Sequence, residues 1–242
     1  MSQTVYYSPW NDSAALRAGM LLAFPPPTSV LTDMTKKIQR ENNRDNFINC
    51  PAFINSIKNT FLLSSPTNCA VEVHGNTIID TAAEKQMLGY LTPTLKAPSM
   101  LDSYTINLGT NWIFFSEHNQ EIETRHPFLH HSPISNYGYY VPGNMNISSW
   151  FRPLEYAFQG WPNVREFKVT QGDPLLYVNF PSDEKIVLKR FHLTEELFDA
   201  SISCIRLKFY WREKNLKKLY NIFRASKIHK HIIREIKKNI ME

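Results

Sequence analysis

Hydrophobic and polar positions change rhythm twice along this chain, and the rhythm predicts its elements. Through the middle, short runs rich in β-branched and aromatic residues alternate with turn residues, at 69–73, 77–80, 104–108, 112–115, 121–124, 137–141, 154–158, 164–169, 175–180 and 186–191. Many short strands with turn signals between them predict a mainly β fold, an antiparallel β-sandwich or barrel, with the jelly roll as one form it can take. The clearest alternation places Leu176, Val178 and Phe180 on one face of a strand and Tyr177 and Asn179 on the other.

The second change comes where turn residues stop. All 15 prolines and 8 glycines lie before residue 182, so long uninterrupted helices are permitted beyond it. Thr194 is placed to cap a helix whose first turn carries Glu195 and Glu196, where carboxylates complement the helix dipole. Further on, Leu216, Leu219, Tyr220 and Phe223, then Ile228, Ile232, Ile236 and Ile240, recur every three or four positions with Lys and Arg between them. This predicts a C-terminal helical extension of one or two amphipathic basic helices. The chain therefore divides into an irregular polar segment, 1–50, packed on the body and holding a short helix near 33–40, a β-rich core domain, 51–192, and a basic helical tail, 193–242. Internal repeats and low-complexity segments are absent from the sequence.

Composition changes this picture little, but charge changes it a good deal. A chain of 242 residues with 43% hydrophobic and 20% charged residues can bury a core without disulfides or metal. The net charge of +5 hides a segregation: residues 204–242 carry 12 Lys and Arg against 3 Asp and Glu, a net of +9, which leaves −4 for residues 1–203. Lys214, Lys217, Lys218, Arg224, Lys227, Lys230, Arg234, Lys237 and Lys238 are the cations expected to meet a partner. Such a stripe suits a partner protein, self-association or the chain's own acidic body, and equally a nucleic acid or an anionic membrane surface.

The three cysteines, an odd number without a CxxC pair, fit a reducing compartment, and Cys50 is expected to be a buried thiol. The apolar stretch 18–24 lacks a basic flank and runs into three prolines, so secretion is not expected. No window approaches the roughly 18 apolar residues of a membrane-spanning helix.

The densest polar cluster runs from Glu117 to His131. Imidazole and carboxylate together suit zinc or iron, which makes Glu117, His118, His126, His130 and His131 the candidate ligands of a metal-dependent oxygenase or hydrolase. The spacing argues against it. Pro127 interrupts the run, the body has no HxH pair, and His130-His131-Ser132-Pro133 reads as a loop. The one HxH, His229-Lys230-His231, falls in the tail, where a helix would turn the two rings to different faces. The default expectation is therefore no cofactor. A second set, Arg125, Trp150, Arg152 and Trp161, could form a stacking surface for a sugar, base or peptide, although large rings more often serve the core. Gly172-Asp173-Pro174 reads as a tight turn before a strand. Without GxSxG, Walker-type, HExxH or dinucleotide motifs, the usual hydrolase, NTPase, zincin and Rossmann readings lose their support.

Several segments carry a resemblance by their order: Cys50-Pro51-Ala52-Phe53, Asn59-Thr60-Phe61, Ser65-Pro66, Thr110-Asn111-Trp112-Ile113-Phe114-Phe115, Trp150-Phe151-Arg152-Pro153, and Gly172-Asp173-Pro174 running into Leu175-Leu176-Tyr177-Val178-Asn179-Phe180. Together they resemble an uncharacterised protein family of tailed bacteriophages, especially phages of marine bacteria. The resemblance covers roughly residues 5–195 and omits the basic tail. It implies a viral protein made in the cytoplasm of a bacterial host, with a place in the virion left open, and it implies no activity. Three functional readings follow: a non-enzymatic phage-type binding or assembly module with a basic helical interaction arm, a metal-dependent oxygenase or hydrolase on a β-sandwich, and a nucleic-acid-binding accessory protein.

Overall fold

Residues 2–10, 24–41, 47–66, 68–74, 77–80, 94–96, 104–211 and 215–241 are described by the computed structural model. Among them the strands are β1 (Ser2–Pro9), β2 (Thr28–Ser29), β3 (Thr60–Ser64), β4 (Cys69–His74), β5 (Thr77–Asp80), β6 (Thr94–Lys96), β7 (Thr105–Phe115), β8 (Glu121–Arg125), β9 (Gly138–Tyr140), β10 (Gly143–Asn146), β11 (Pro153–Gly160), β12 (Glu166–Val169), β13 (Pro174–Asn179) and β14 (Lys185–Arg190). The helices are α1 (Val30–Glu41), α2 (Pro51–Ile57), α3 (Glu195–Tyr210), α4 (Leu216–Ala225) and α5 (Ile228–Lys238). The fold is mainly β with a C-terminal helical part.

The largest sheet has the order β14-β1-β7-β11-β9, and β6 shares the β1 side of the long strand β7. A five-stranded sheet, β10-β8-β13-β3-β2, and a three-stranded one, β12-β4-β5, complete the β structure. One hydrophobic core joins all three, through Val5, Trp112, Phe114 and Phe158 of the large sheet, Leu63, Leu176 and Val178 of the second, and Val71 and Phe167 of the third. Phe114 meets Phe180 with ring centroids 5.8 Å apart, and Phe158 meets Phe167 at 4.9 Å.

Both outer faces are also covered. Tyr6, Ile113 and Phe115 alternate with the inward residues and point at α3, α4 and α5, where Leu197, Leu219, Phe223, Ile232 and Ile236 bury them. On the far side, Val30 and Met34 of α1 and Ile57 of α2 pack on Leu62 and Tyr177. The order of layers is thus helices, sheet, sheets, helices. Inward Leu176 and Val178 and outward Tyr177 realise the predicted alternation, and every predicted run contributes to a strand.

Four expectations need correction. Residues 1–50 are not irregular throughout: Ser2–Pro9 is an inner strand, parallel to β14 and antiparallel to β7. That parallel pair makes the large sheet mixed, not wholly antiparallel. The runs 104–108 and 112–115 belong to one strand, because β11 pairs with both, with a shift of register between Gly109 and Ile113. Cys50 is exposed at the start of α2, whereas Cys69 and Cys204 are buried.

The helix expected near 33–40 is α1, lying inside a Gly- and Pro-free window of its own. The predicted turn before β13 is also present. Gly172 sits at φ +89°, a left-handed conformation glycine adopts without strain, and the Asp173 carboxylate accepts a bond from the Thr170 amide at 2.7 Å. No described helix is long and apolar enough to cross a membrane. The stretch 18–23 and Lys214 lie outside the described residues.

Candidate partner-binding surface

The helical layer begins as its sequence dictates. The Thr194 hydroxyl accepts from the Leu197 amide at 3.4 Å, with Glu195 and Glu196 in the first turn, and Asn215 caps α4 by accepting from the Lys218 amide at 3.0 Å. Each helix then buries its apolar stripe: Leu219 and Phe223 on α4, and Ile232, Ile233 and Ile236 on α5. Phe115 lies at the centre, 5.0 Å from Phe151, 6.2 Å from Phe223 and 5.3 Å from the His229 ring. Beyond α5 the chain is tied back to β14, where the His192 amide donates to the Asn239 carbonyl at 2.8 Å and the Met241 amide to Arg190 at 2.9 Å.

Burying that stripe decides where the cations go. Lys217, Lys218, Lys227, Lys230 and Arg234 are exposed and have no ion-pair partner among the described residues. Three others are committed to the protein. Arg224 donates to Ser149 Oγ at 2.5 Å and Asn119 Oδ1 at 2.7 Å, Lys237 pairs with Glu117 at 2.6 Å, and Lys238 pairs with Glu235 at 2.5 Å. The hydrogen bond to Glu117 raises the Lys237 pKa above its ordinary value.

The five proposed metal ligands do not converge. Glu117 and His118 line a polar hollow of about 330 Å³ beside β1, together with Gln3, Tyr6 and Glu184. His126 bonds Ser135 Oγ at 2.9 Å, and its Nδ1 is buried without a partner among the described residues. His130 turns toward α1, where its Nε2 meets Asp33 Oδ2 at 2.9 Å and its Nδ1 meets the Tyr177 hydroxyl. With the carboxylate accepting from Nε2–H, Nδ1 of the neutral ring is free to accept from tyrosine. Lys37 pairs with the same carboxylate at 2.9 Å, and its hydrogen bond leads the lowering of the Asp33 pKa. His131 is exposed in the loop.

The described donors that do come together are Glu196, His231 and Glu235, whose ligand atoms lie within 4.8 Å of one another and could hold a metal ion. The Glu196–His231 contact is 2.7 Å, and Lys238 already occupies Glu235. His229 faces Phe115 while His231 faces Glu196, so the helix does separate the HxH rings.

Burial without a charged partner lowers the His126 pKa below the ordinary histidine value. The unfolded chain therefore takes up that proton more readily, and stability falls as pH drops below about 6.5. Denaturant midpoints of wild type and His126→Gln at pH 7.5 and 5.5 check this. The wild type should lose more stability over the interval, and equal losses would assign the acid sensitivity elsewhere.

The second ligand set is split by β11. Trp150 is buried against Tyr220 and Phe223 under the helices, whereas Trp161 lies past the other end of the strand, its indole N–H donating to the Ser135 carbonyl at 2.9 Å. Eight residues of strand put about 25 Å between the two ends. Arg125 and Arg152 come closer, lining adjoining hollows that share Thr124, Pro142, Gly143 and Asn144. Each is already paired, Arg125 with Glu123 and Arg152 with Glu155 at 3.3 Å.

Sequence reasoning missed Asp33 and Tyr177 as partners of His130, and it missed the meeting of Glu196 with His231. Only the His231–Glu235 spacing of four on one helix was readable in advance. No protein-family model, curated protein or solved structure matches the chain. The phage-family resemblance accordingly rests on its ordered motifs alone.

Proposed function

We propose that this chain is a non-enzymatic binding or assembly module whose partner surface is the outer face of α4 and α5. The observation that carries the reading is the set Lys217, Lys218, Lys227, Lys230 and Arg234, exposed and unpaired among the described residues on helices anchored by Leu219, Phe223, Ile232 and Ile236. A cationic face held by a buried stripe costs little ordering on binding, which favours recognition of an acidic partner. The phage resemblance is compatible with an assembly role in a bacterial host. Dispersal of the Glu117–His131 donors removes the main support for a metal-dependent enzyme in the body.

The test is charge reversal on the intact chain. Lys217, Lys218, Lys227, Lys230 and Arg234 changed together to Glu should elute from a heparin column at much lower salt than wild type, with an unchanged thermal midpoint. Elution at the same salt would move the polyanion surface elsewhere and defeat the reading.

A further inference from the structure

α5 packs against both α3 and α4, and between those two helices lies a cavity of about 270 Å³. Leu207 of α3, Trp211 just after it, and Leu219 and Phe223 of α4 line it together with Trp150. Ile222 and Ile228, 37% and 45% exposed, are also in its lining and open it to the surface. His231, already bonded to Glu196, adds a polar element. We propose that this cavity receives one large hydrophobic side chain of an acidic peptide segment on a partner protein. The proposal rests on the reading of the basic helical face as the partner surface.

Three features favour this occupant. The volume falls below the roughly 300–1,000 Å³ of hollows that enclose drug-sized ligands, so it suits a single side chain better than a cofactor. Buried anchors in apolar pockets, ringed by polar contacts, are where protein interfaces concentrate their affinity. The third feature is charge. Lys218 lies one helical turn before Ile222 and Lys227 one turn before His231, and both lysines are exposed without an ion-pair partner among the described residues. A nucleic acid would use the lysines but not the pocket, because phosphate contacts need only cations and base edges need donors and acceptors that an apolar wall lacks.

The experiment is selection of a random dodecapeptide library on the full chain, followed by titration of the strongest peptide carrying a fluorescein label. Recovered sequences should share one Trp, Phe, Leu or Met flanked by Asp or Glu. Replacing that anchor by Ala should weaken binding by about 30-fold, the scale of an interface hot spot. Ser203→Trp, which fills the cavity from an exposed wall position, should cause a comparable loss. Should that variant fail to fold, Ile222→Ser opens the wall without adding bulk and should weaken the anchored peptide while sparing its Ala counterpart.

Lys218→Glu with Lys227→Glu should remove most of the salt dependence. Binding lost on charge reversal but indifferent to Ser203→Trp and Ile222→Ser would overturn the pocket and leave the basic face standing. Binding indifferent to both sets would overturn both. Recovered peptides without an apolar anchor would overturn the pocket. So would single-stranded DNA or phosphatidylserine vesicles binding more tightly than any peptide and unaffected by the cavity variants.

Discussion

A chain cut after Leu193 is expected to accumulate as insoluble protein, and any soluble fraction to melt without a cooperative transition. The cut strips α3, α4 and α5 from the outer face of the large sheet and exposes Tyr6, Ile113, Phe115, Trp150, Phe151 and Phe191. At about 1.5–3 kcal/mol for each large side chain returned to water, the loss reaches roughly 10 kcal/mol, comparable to the whole stability of an ordinary domain at about 5–15 kcal/mol. The exposed side chains are contiguous, which adds a surface for association. Solubility, calorimetry and dye binding check the expectation. A soluble, cooperatively melting truncate would mean that the helices are an accessory to the β structure and not one of its layers. The same packing governs any test of partner binding: deleting the basic segment would confound lost contacts with lost folding, whereas reversing exposed charges does not.

The second large effect concerns two neighbours in sequence that serve different cores. Phe114 faces inward, against Tyr7 at 6.2 Å and Phe180 at 5.8 Å, while Phe115 faces the helices. Phe114→Ala and Phe115→Ala should each cost about 3–5 kcal/mol, the usual loss when a buried phenylalanine leaves a cavity. Their local signatures should differ. Hydrogen exchange in Phe115→Ala should speed up first in α4 and α5, and in Phe114→Ala across β1 and β13. A cost below about 1 kcal/mol for either would show that its cavity collapses freely or that the ring is not packed as described.

What was legible in the sequence was whatever left a local trace. Leu176, Val178 and Phe180 alternate with Tyr177 and Asn179, and Thr194 precedes two glutamates, so β13 and the start of α3 could be read directly. β1 and β3 left a weaker trace. Val5 and Tyr7 face one core and Tyr6 another, as Leu63 and Leu62 do, so strands buried on both faces show no polar alternation to find. The charge segregation was visible, but not which cations the body would claim. Arg224 meets Asn119 and Lys237 meets Glu117, contacts that depend on how α4 and α5 lie against the loop before β8. His130 illustrates the same limit, because Asp33 and Tyr177 are 97 and 47 positions away.

The pairing of β1 with β14 sets an order of events in synthesis. Ser2 is aligned with Lys185, and Tyr7 with Arg190, so the parallel register joins residues 183 positions apart. The antiparallel neighbour is nearer in sequence, with Pro9 opposite Trp112, but it too emerges from the ribosome long after β1. At about 5–20 residues per second, the first strand waits roughly 5–20 seconds with both edges unpaired, and the edge that meets β14 waits roughly 10–35 seconds. Contacts of such long range are slow to close, and an unpaired strand edge invites other chains meanwhile. The strand Ser2–Pro9 is thus a segment in need of protection during translation, although Val5 to Ser8 end up buried in the folded protein.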